Sequence, residues 1–103
     1  RKAGDVTAAI RLLRDQLAQH PDHMSGHVVL GQALVEAGDA AAATASFERA
    51  VALDPENLIA LRHLGDLARA TGDATGARGW YRRVLDADPH NDEVQAMVRD
   101  LDG

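Results

Sequence analysis

Apolar residues recur at spacings of three and four along most of the chain, which is the period of an amphipathic helix. The first segment places four apolar side chains on one face: Val6, Ile10, Leu13 and Leu17. No stretch alternates apolar and polar residues in the manner of a half-buried strand. The pattern therefore predicts an all-α protein. We expect six helices, at residues 5–19, 23–37, 40–53, 58–70, 74–87 and from 91 or 92 onward.

Residues that start and stop helices lie at the boundaries of these segments. Gly-Asp pairs occur at 38–39 and 72–73, where the glycine is expected to end one helix and the aspartate to cap the next. Gly4 and Asp5 form the same kind of pair, so Asp5 is expected to cap the first helix. Prolines follow the first, third and fifth helices and prevent them from continuing.

The chain also contains an internal repeat with a period of 34 residues, as from Gly31 to Gly65. Each copy has a glycine, a Gly-Asp pair, a small residue, an aromatic residue and a proline at the same positions. These are Gly31, Gly38, Asp39, Ala43, Phe47 and Pro55 in one copy, and Gly65, Gly72, Asp73, Ala77, Tyr81 and Pro89 in the next. A fixed period of this length is typical of proteins built from stacked helix pairs.

The period divides the chain into a single array with four parts. These are a half repeat at 1–22, full repeats at 23–57 and 58–91, and a closing helix at 92–103. The half repeat has only the second helix of a pair, so we expect the natural protein to continue upstream. Without that helix, Ala9, Ile10 and Leu13 are expected to be partly uncovered, because terminal repeats need caps. A homodimer through this N-terminal open edge is a further prediction.

Composition and charge narrow the classes of partner. The net charge is −5, and Lys2 is the only lysine. An acidic chain without a basic stripe is not expected to bind nucleic acid, since phosphate contacts supply most of that affinity. No apolar run reaches transmembrane length, so membrane insertion is not expected. The chain has no cysteine, which leaves the compartment open, with the cytoplasm favoured over the periplasm.

The repeated residues, together with Leu30 and Leu64 before the helix glycines, resemble those of tetratricopeptide repeats. The family's unit is an antiparallel helix pair, and the resemblance covers nearly the whole chain. It implies helix-pair repeats stacked in a right-handed superhelical solenoid. It also implies that the first helix of each pair lines a concave groove for a peptide or protein segment.

The resemblance and the helical spacing together give candidate groove residues. They are Val28, Gln32, Val35, Glu36, Ile59, Arg62, Asp66 and Arg69. In one interpretation the two arginines bind a carboxylate of the partner beside an apolar strip. In the other, Arg62, Asp66 and Arg69 form only a solvated charge ladder along one helix. The lysine and asparagine clamp with which one subclass holds a C-terminal carboxylate is missing.

Histidines, catalytic motifs and a tryptophan are further candidates for functional roles. His23 and His27 lie four residues apart, a spacing that suits zinc, but no HExxH pattern accompanies them and solvated or capping roles are favoured. No nucleophile, phosphate-loop or dinucleotide motif is present, so we expect no catalytic residue, metal or cofactor. Trp80 is either an interface anchor or ordinary packing.

These observations predict a non-catalytic protein–protein interaction module that binds a peptide or protein segment in its groove. The alternative is that the array is a non-catalytic arm of a larger enzyme, such as a bacterial glycosyltransferase, peptidase or kinase.

Overall fold

The computed structural model describes residues 3–103, and this part of the chain consists of helices joined by short turns, without strands. The helices are α1 (Ala3–Gln19), α2 (Met24–Glu36), α3 (Ala40–Leu53), α4 (Leu58–Ala70), α5 (Ala74–Ala87) and α6 (Asp92–Asp102). Two compact units contain them, the first unit at Arg1–Pro55 and the second unit at Glu56–Gly103. The prediction of an all-α chain with six helices is confirmed.

The start of α1 differs from the prediction. The helix already includes Gly4 and Asp5, so Asp5 does not cap it. Among the described residues, positive φ angles occur only at Gly38 and Gly72. The prediction of a turn at Gly4 is therefore wrong, because a glycine allows a left-handed turn but does not impose one. Arg1 and Lys2 lie outside the described residues.

The two left-handed glycines end α2 and α4 in the same way. Gly38 has a φ of 83° and Gly72 a φ of 82°, a conformation that other residues rarely adopt. Beyond Gly38, the amide of Asp39 donates to the carbonyl of Leu34 at 2.9 Å, which completes a Schellman turn. These turns satisfy the last carbonyls of the first helix and bring the chain directly into the second.

Side chains cap four of the helices that follow. In each case a carboxylate or amide oxygen accepts from the amide three residues later, which satisfies one free donor of the first turn. The caps are Asp39 for α3 at 3.1 Å, Asn57 for α4 at 2.9 Å, Asp73 for α5 at 2.9 Å and Asn91 for α6 at 3.0 Å. His23 stands at the same position before α2 without a side-chain cap bond.

Each helix pair packs an aromatic ring against a helix glycine. Phe47 of α3 and Tyr81 of α5 are fully buried, and their rings face Gly31 of α2 and Gly65 of α4. A Cβ atom placed on Gly31 would lie 2.7 Å from the Phe47 ring. The aromatic rings are therefore the nearest neighbours of both glycines.

In the first unit, α1 packs along α2 through its apolar face. Val6, Ile10 and Leu17 are buried, whereas Ala9 and Leu13 are half-buried. The prediction that Ile10 is partly uncovered is therefore wrong. The buried ring of His27 also contributes, because its Nε2 donates to the carbonyl of Pro21 at 2.7 Å. This bond fixes the turn between α1 and α2, so the histidine has a structural role.

Candidate functional site

The outward face of α4 combines exposed apolar side chains with arginines. Leu58 and Ile59 in its first turn have exposed fractions of 38% and 51%. They border an open cleft of ≈ 290 Å³ within the second unit. The residues that line it are Leu58, Ile59, Arg62, His63, Val84 and Asn91. Burial lowers the pKa of His63, which favours its neutral form, and the guanidinium of Arg62 gives the cleft a positive charge.

Arg62 connects α4 to α6. Its Nη2 donates to Oε1 of Glu93 at 2.6 Å, and its Nε lies 3.6 Å from Oδ1 of Asp66. The hydrogen bond to Glu93 raises the pKa of Arg62, and the same bond lowers the pKa of Glu93. The Glu93 side chain stays 68% exposed, so the carboxylate contacts the guanidinium from the solvent side. The buried Nε of Arg62 has no hydrogen-bond partner.

A buried hydroxyl holds Asp66 in place. Tyr81 of α5 donates its hydroxyl proton to Oδ1 of Asp66 at 2.5 Å. Burial, followed by this bond, raises the pKa of Tyr81 to about 12, and a hydrogen bond from Arg69 acts in the opposite direction. Asp66 therefore serves as an acceptor for the core hydroxyl rather than as an unengaged surface acid.

Arg69 makes the second connection to α6, where its Nη2 lies 3.8 Å from Oδ2 of Asp100. The contacts form one continuous set across three helices, which we call the α4 ionic network. Its members are Glu93, Arg62, Asp66, Tyr81, Arg69 and Asp100. The predicted ladder along α4 is present at Arg62 and Asp66, but the arginines also reach across to α6. Sequence reasoning did not predict that the arginines pair with Glu93 and Asp100, although the spacing of the two acids equals that of the two arginines.

In the first unit, the outward face of α2 includes three of the predicted groove residues. Gln32, Val35 and Glu36 are exposed. Val28 has an exposed fraction of 6%, so the prediction that it offers apolar contact to a partner is wrong. The reason is that α2 contacts both α1 and α3, so it buries side chains towards two neighbouring helices. The position equivalent to Val28 in the second unit is Arg62.

The remaining candidates do not assemble a metal site. His27 is bonded to Pro21, and His23 stands at the start of α2. Across residues 3–103, no group of three or more potential ligands is placed to hold a metal ion. Trp80 is half-buried, and the guanidinium carbon of Arg83 lies 5.1 Å from its ring centroid. The two interpretations of Trp80, ordinary packing and an interface anchor, both stay predictions.

Within the described part of the chain, no helix combines the length and apolar character needed to cross a bilayer.

The fold and its glycine–aromatic packing define a helix-pair repeat protein, and comparison with known proteins identifies the class. The tetratricopeptide repeat family matches residues 1–57 and again 28–92. The chain belongs to the tetratricopeptide repeat family. Such repeats are protein-interaction modules and are typically non-catalytic, so this chain is a protein-interaction module in the general sense.

Solved structures support the same fold. Two crystal structures of MamA superpose with TM-scores of 0.87 and 0.88, at 20% sequence identity and over 95% of this chain. The chain covers 54% and 57% of those two proteins, so it spans about half of their length. At this identity the likeness establishes the helical-repeat fold alone. No curated protein sequence matches the chain.

Proposed function

We propose that this chain binds a peptide or protein segment of a partner, without catalysing a reaction, through the outward faces of α4 and α2. The observation that carries the proposal is the cleft on α4, where exposed Leu58 and Ile59 adjoin the cationic Arg62. Surfaces that bind proteins combine apolar contact with a few charged groups around it.

The two kinds of side chain would contribute differently. Burial of Ile59 and Leu58 against a partner removes apolar surface from water, which supplies affinity. Arg62 and Arg69 select and orient the partner, since charged groups govern specificity and encounter rate more than raw affinity. The first unit has a second surface on α2, which is tested separately and consists of Gln32, Val35 and Glu36.

Selection from a displayed peptide library on the purified chain tests the proposal. The selected peptides are then measured against the double variant Arg62→Glu, Arg69→Glu. We expect their affinity to fall by at least about tenfold and its salt dependence to decrease, because two charges are reversed in the site. The matched control is Arg11→Glu, Arg14→Glu, which makes the same charge change on exposed residues of α1.

Circular dichroism checks that both double variants remain helical. The proposal fails if the selected peptides bind the α4 variant as tightly as the unchanged chain. It also fails if the α1 control loses the same affinity, because that result indicates a response to net charge alone. The equivalent test of the α2 surface uses Val35→Asp.

We further propose a homodimer through the N-terminal edge of the first unit. Leu12 of α1 is 59% exposed, and the neighbouring Ala9 and Leu13 are half-buried. Exposed apolar side chains of this size favour association when they lie together on one surface.

A further inference from the structure

The α4 ionic network has a regular spacing on both of its helices. On α4, Arg62 and Arg69 are seven residues apart, and on α6 the same separation lies between Glu93 and Asp100. Each arginine meets one of these acids, at 2.6 Å in the first pair and 3.8 Å in the second. A single helix thus satisfies both arginines with acids at positions i and i+7.

Helix geometry explains why this spacing fits. Seven residues make nearly two full turns, so side chains at i and i+7 leave the helix on the same side, about 10 Å apart along its axis. The two arginines of α4 are therefore aligned, and so are the two acids of α6. The spacing of the acids on α6 therefore matches the spacing of the arginines on α4.

Carboxylates of a partner can replace the two acids of α6 on the arginines of α4. The side chains of Glu93 and Asp100 are 68% and 74% exposed, and exposed ion pairs contribute little to stability.

Other contacts hold α6 when these acids turn away. Val94 is fully buried, and Arg78 of α5 donates to the carbonyl of Leu101 at 3.0 Å. Asp102 lies 3.6 Å from the guanidinium groups of both Arg78 and Arg82. Release of Glu93 and Asp100 therefore does not require α6 to leave the second unit.

We propose that the partner segment is an α-helix with two carboxylates at i and i+7, which replace Glu93 and Asp100 on Arg62 and Arg69. The inference rests on the proposed function and specifies the chemistry of its α4 site. Asp66 does not compete for the arginines in the same way, because the Tyr81 hydroxyl holds it. An apolar side chain of the partner helix, one turn beyond its first carboxylate, reaches the cleft beside Ile59. In the free protein, α6 acts as an intramolecular competitor for the site.

The test uses a labelled alanine-based helical peptide with glutamates at i and i+7 and a leucine one turn outside each glutamate. The second leucine makes the probe independent of helix direction. The control peptide has the same composition, with the second glutamate moved to i+5, on another side of the helix. Fluorescence anisotropy measures both peptides against the whole chain and its variants.

Removal of the internal competitor should strengthen binding. We expect Glu93→Gln, Asp100→Asn to bind the i, i+7 peptide roughly fivefold more tightly than the unchanged chain, and Arg62→Gln, Arg69→Gln to lose it. The affinity of the control peptide for this first variant should increase clearly less. Because the first variant also removes two negative charges, its matched control is Asp86→Asn, Asp92→Asn, at exposed acids of the same unit.

Three results would overturn the inference. The first is an equal gain in affinity of the i+5 peptide for the Glu93→Gln, Asp100→Asn variant. The second is an equal gain in affinity of the i, i+7 peptide for the Asp86→Asn, Asp92→Asn control. The third is tighter binding of an extended peptide with glutamates three residues apart. The library-selected peptides separate this failure from failure of the proposed function. If they depend on Arg62 and Arg69 but carry no helical acid pair, the α4 site stands and the helix is excluded.

Discussion

Substitution of Gly31 by alanine tests the packing on which each helix pair depends. The added Cβ would lie 2.7 Å from the Phe47 ring, and an ordinary van der Waals contact begins at 3.4 Å, a shortfall of 0.7 Å. Phe47 has no exposed surface, so its ring cannot move into solvent. The ring, or the two helices, must shift within a packed core.

Two effects of this substitution oppose each other. Alanine in a helix interior is about 1 kcal/mol more favourable than glycine. Overpacking of a core by one carbon costs about 1–3 kcal/mol. The net change is a loss of about 0–2 kcal/mol in the free energy of unfolding. Gly79 in α5 is the matched control, because its added Cβ meets no atom within 4 Å. Gly79→Ala should therefore stabilise by about 1 kcal/mol.

Thermal unfolding followed by circular dichroism measures the difference between the two variants. A difference of about 1–3 kcal/mol between them corresponds to roughly 4–8 °C of melting temperature per kcal/mol for a domain of this size. Phe47→Leu provides a second check, since removal of the ring should reduce the cost of Gly31→Ala. If Gly31→Ala stabilises the chain as much as Gly79→Ala, the glycine–ring contact does not limit the packing of α2 on α3.

Three further predictions concern other parts of the chain. The pKa of Tyr81 is raised from 10.0 to about 12, so between these pH values the folded protein keeps a proton that the unfolded chain loses, and stability should fall as pH rises. Urea unfolding should show a smaller fall in Tyr81→Phe. An equal fall would contradict the assignment of this pH dependence to Tyr81. His23→Asp should stabilise by about 0.5–1 kcal/mol in thermal unfolding, because α2 lacks a side-chain cap, and a lower melting temperature would count against this. Light scattering should show less self-association in Leu12→Glu, and a strict monomer in both proteins would exclude a dimer through α1.

The sequence predicted the bounds of α3, α4 and α5 to the residue. Local chemistry specifies these helices at both ends, through the cap residues before them and the left-handed glycine or proline after them. The same reasoning failed at Gly4, where a Gly-Asp pair lies inside α1. An aspartate caps a helix only where the helix begins, and a Gly-Asp pair in the sequence does not by itself determine that position.

Less of the candidate site was predictable, because its contacts join residues distant in sequence. Helical spacing identified Arg62, Asp66 and Arg69 as one face of α4, and the structure agrees. The pairing of Arg62 with Glu93 depends on how α6 packs in the second unit, which periodicity does not report. The prediction of Val28 as a groove residue failed for a related reason, since its burial depends on the number of helices that contact α2.

The two left-handed glycine turns also bear on how the chain folds. Within each unit, the extensive contacts of the described residues join helices that follow one another in sequence, such as α2 with α3 and α4 with α5. Low contact order of this kind is typical of proteins that fold in microseconds to milliseconds. Gly38 sets the reversal between α2 and α3 locally, without help from distant residues. During synthesis, the α2–α3 pair therefore has every residue it needs for its own packing as soon as Leu53 has been added.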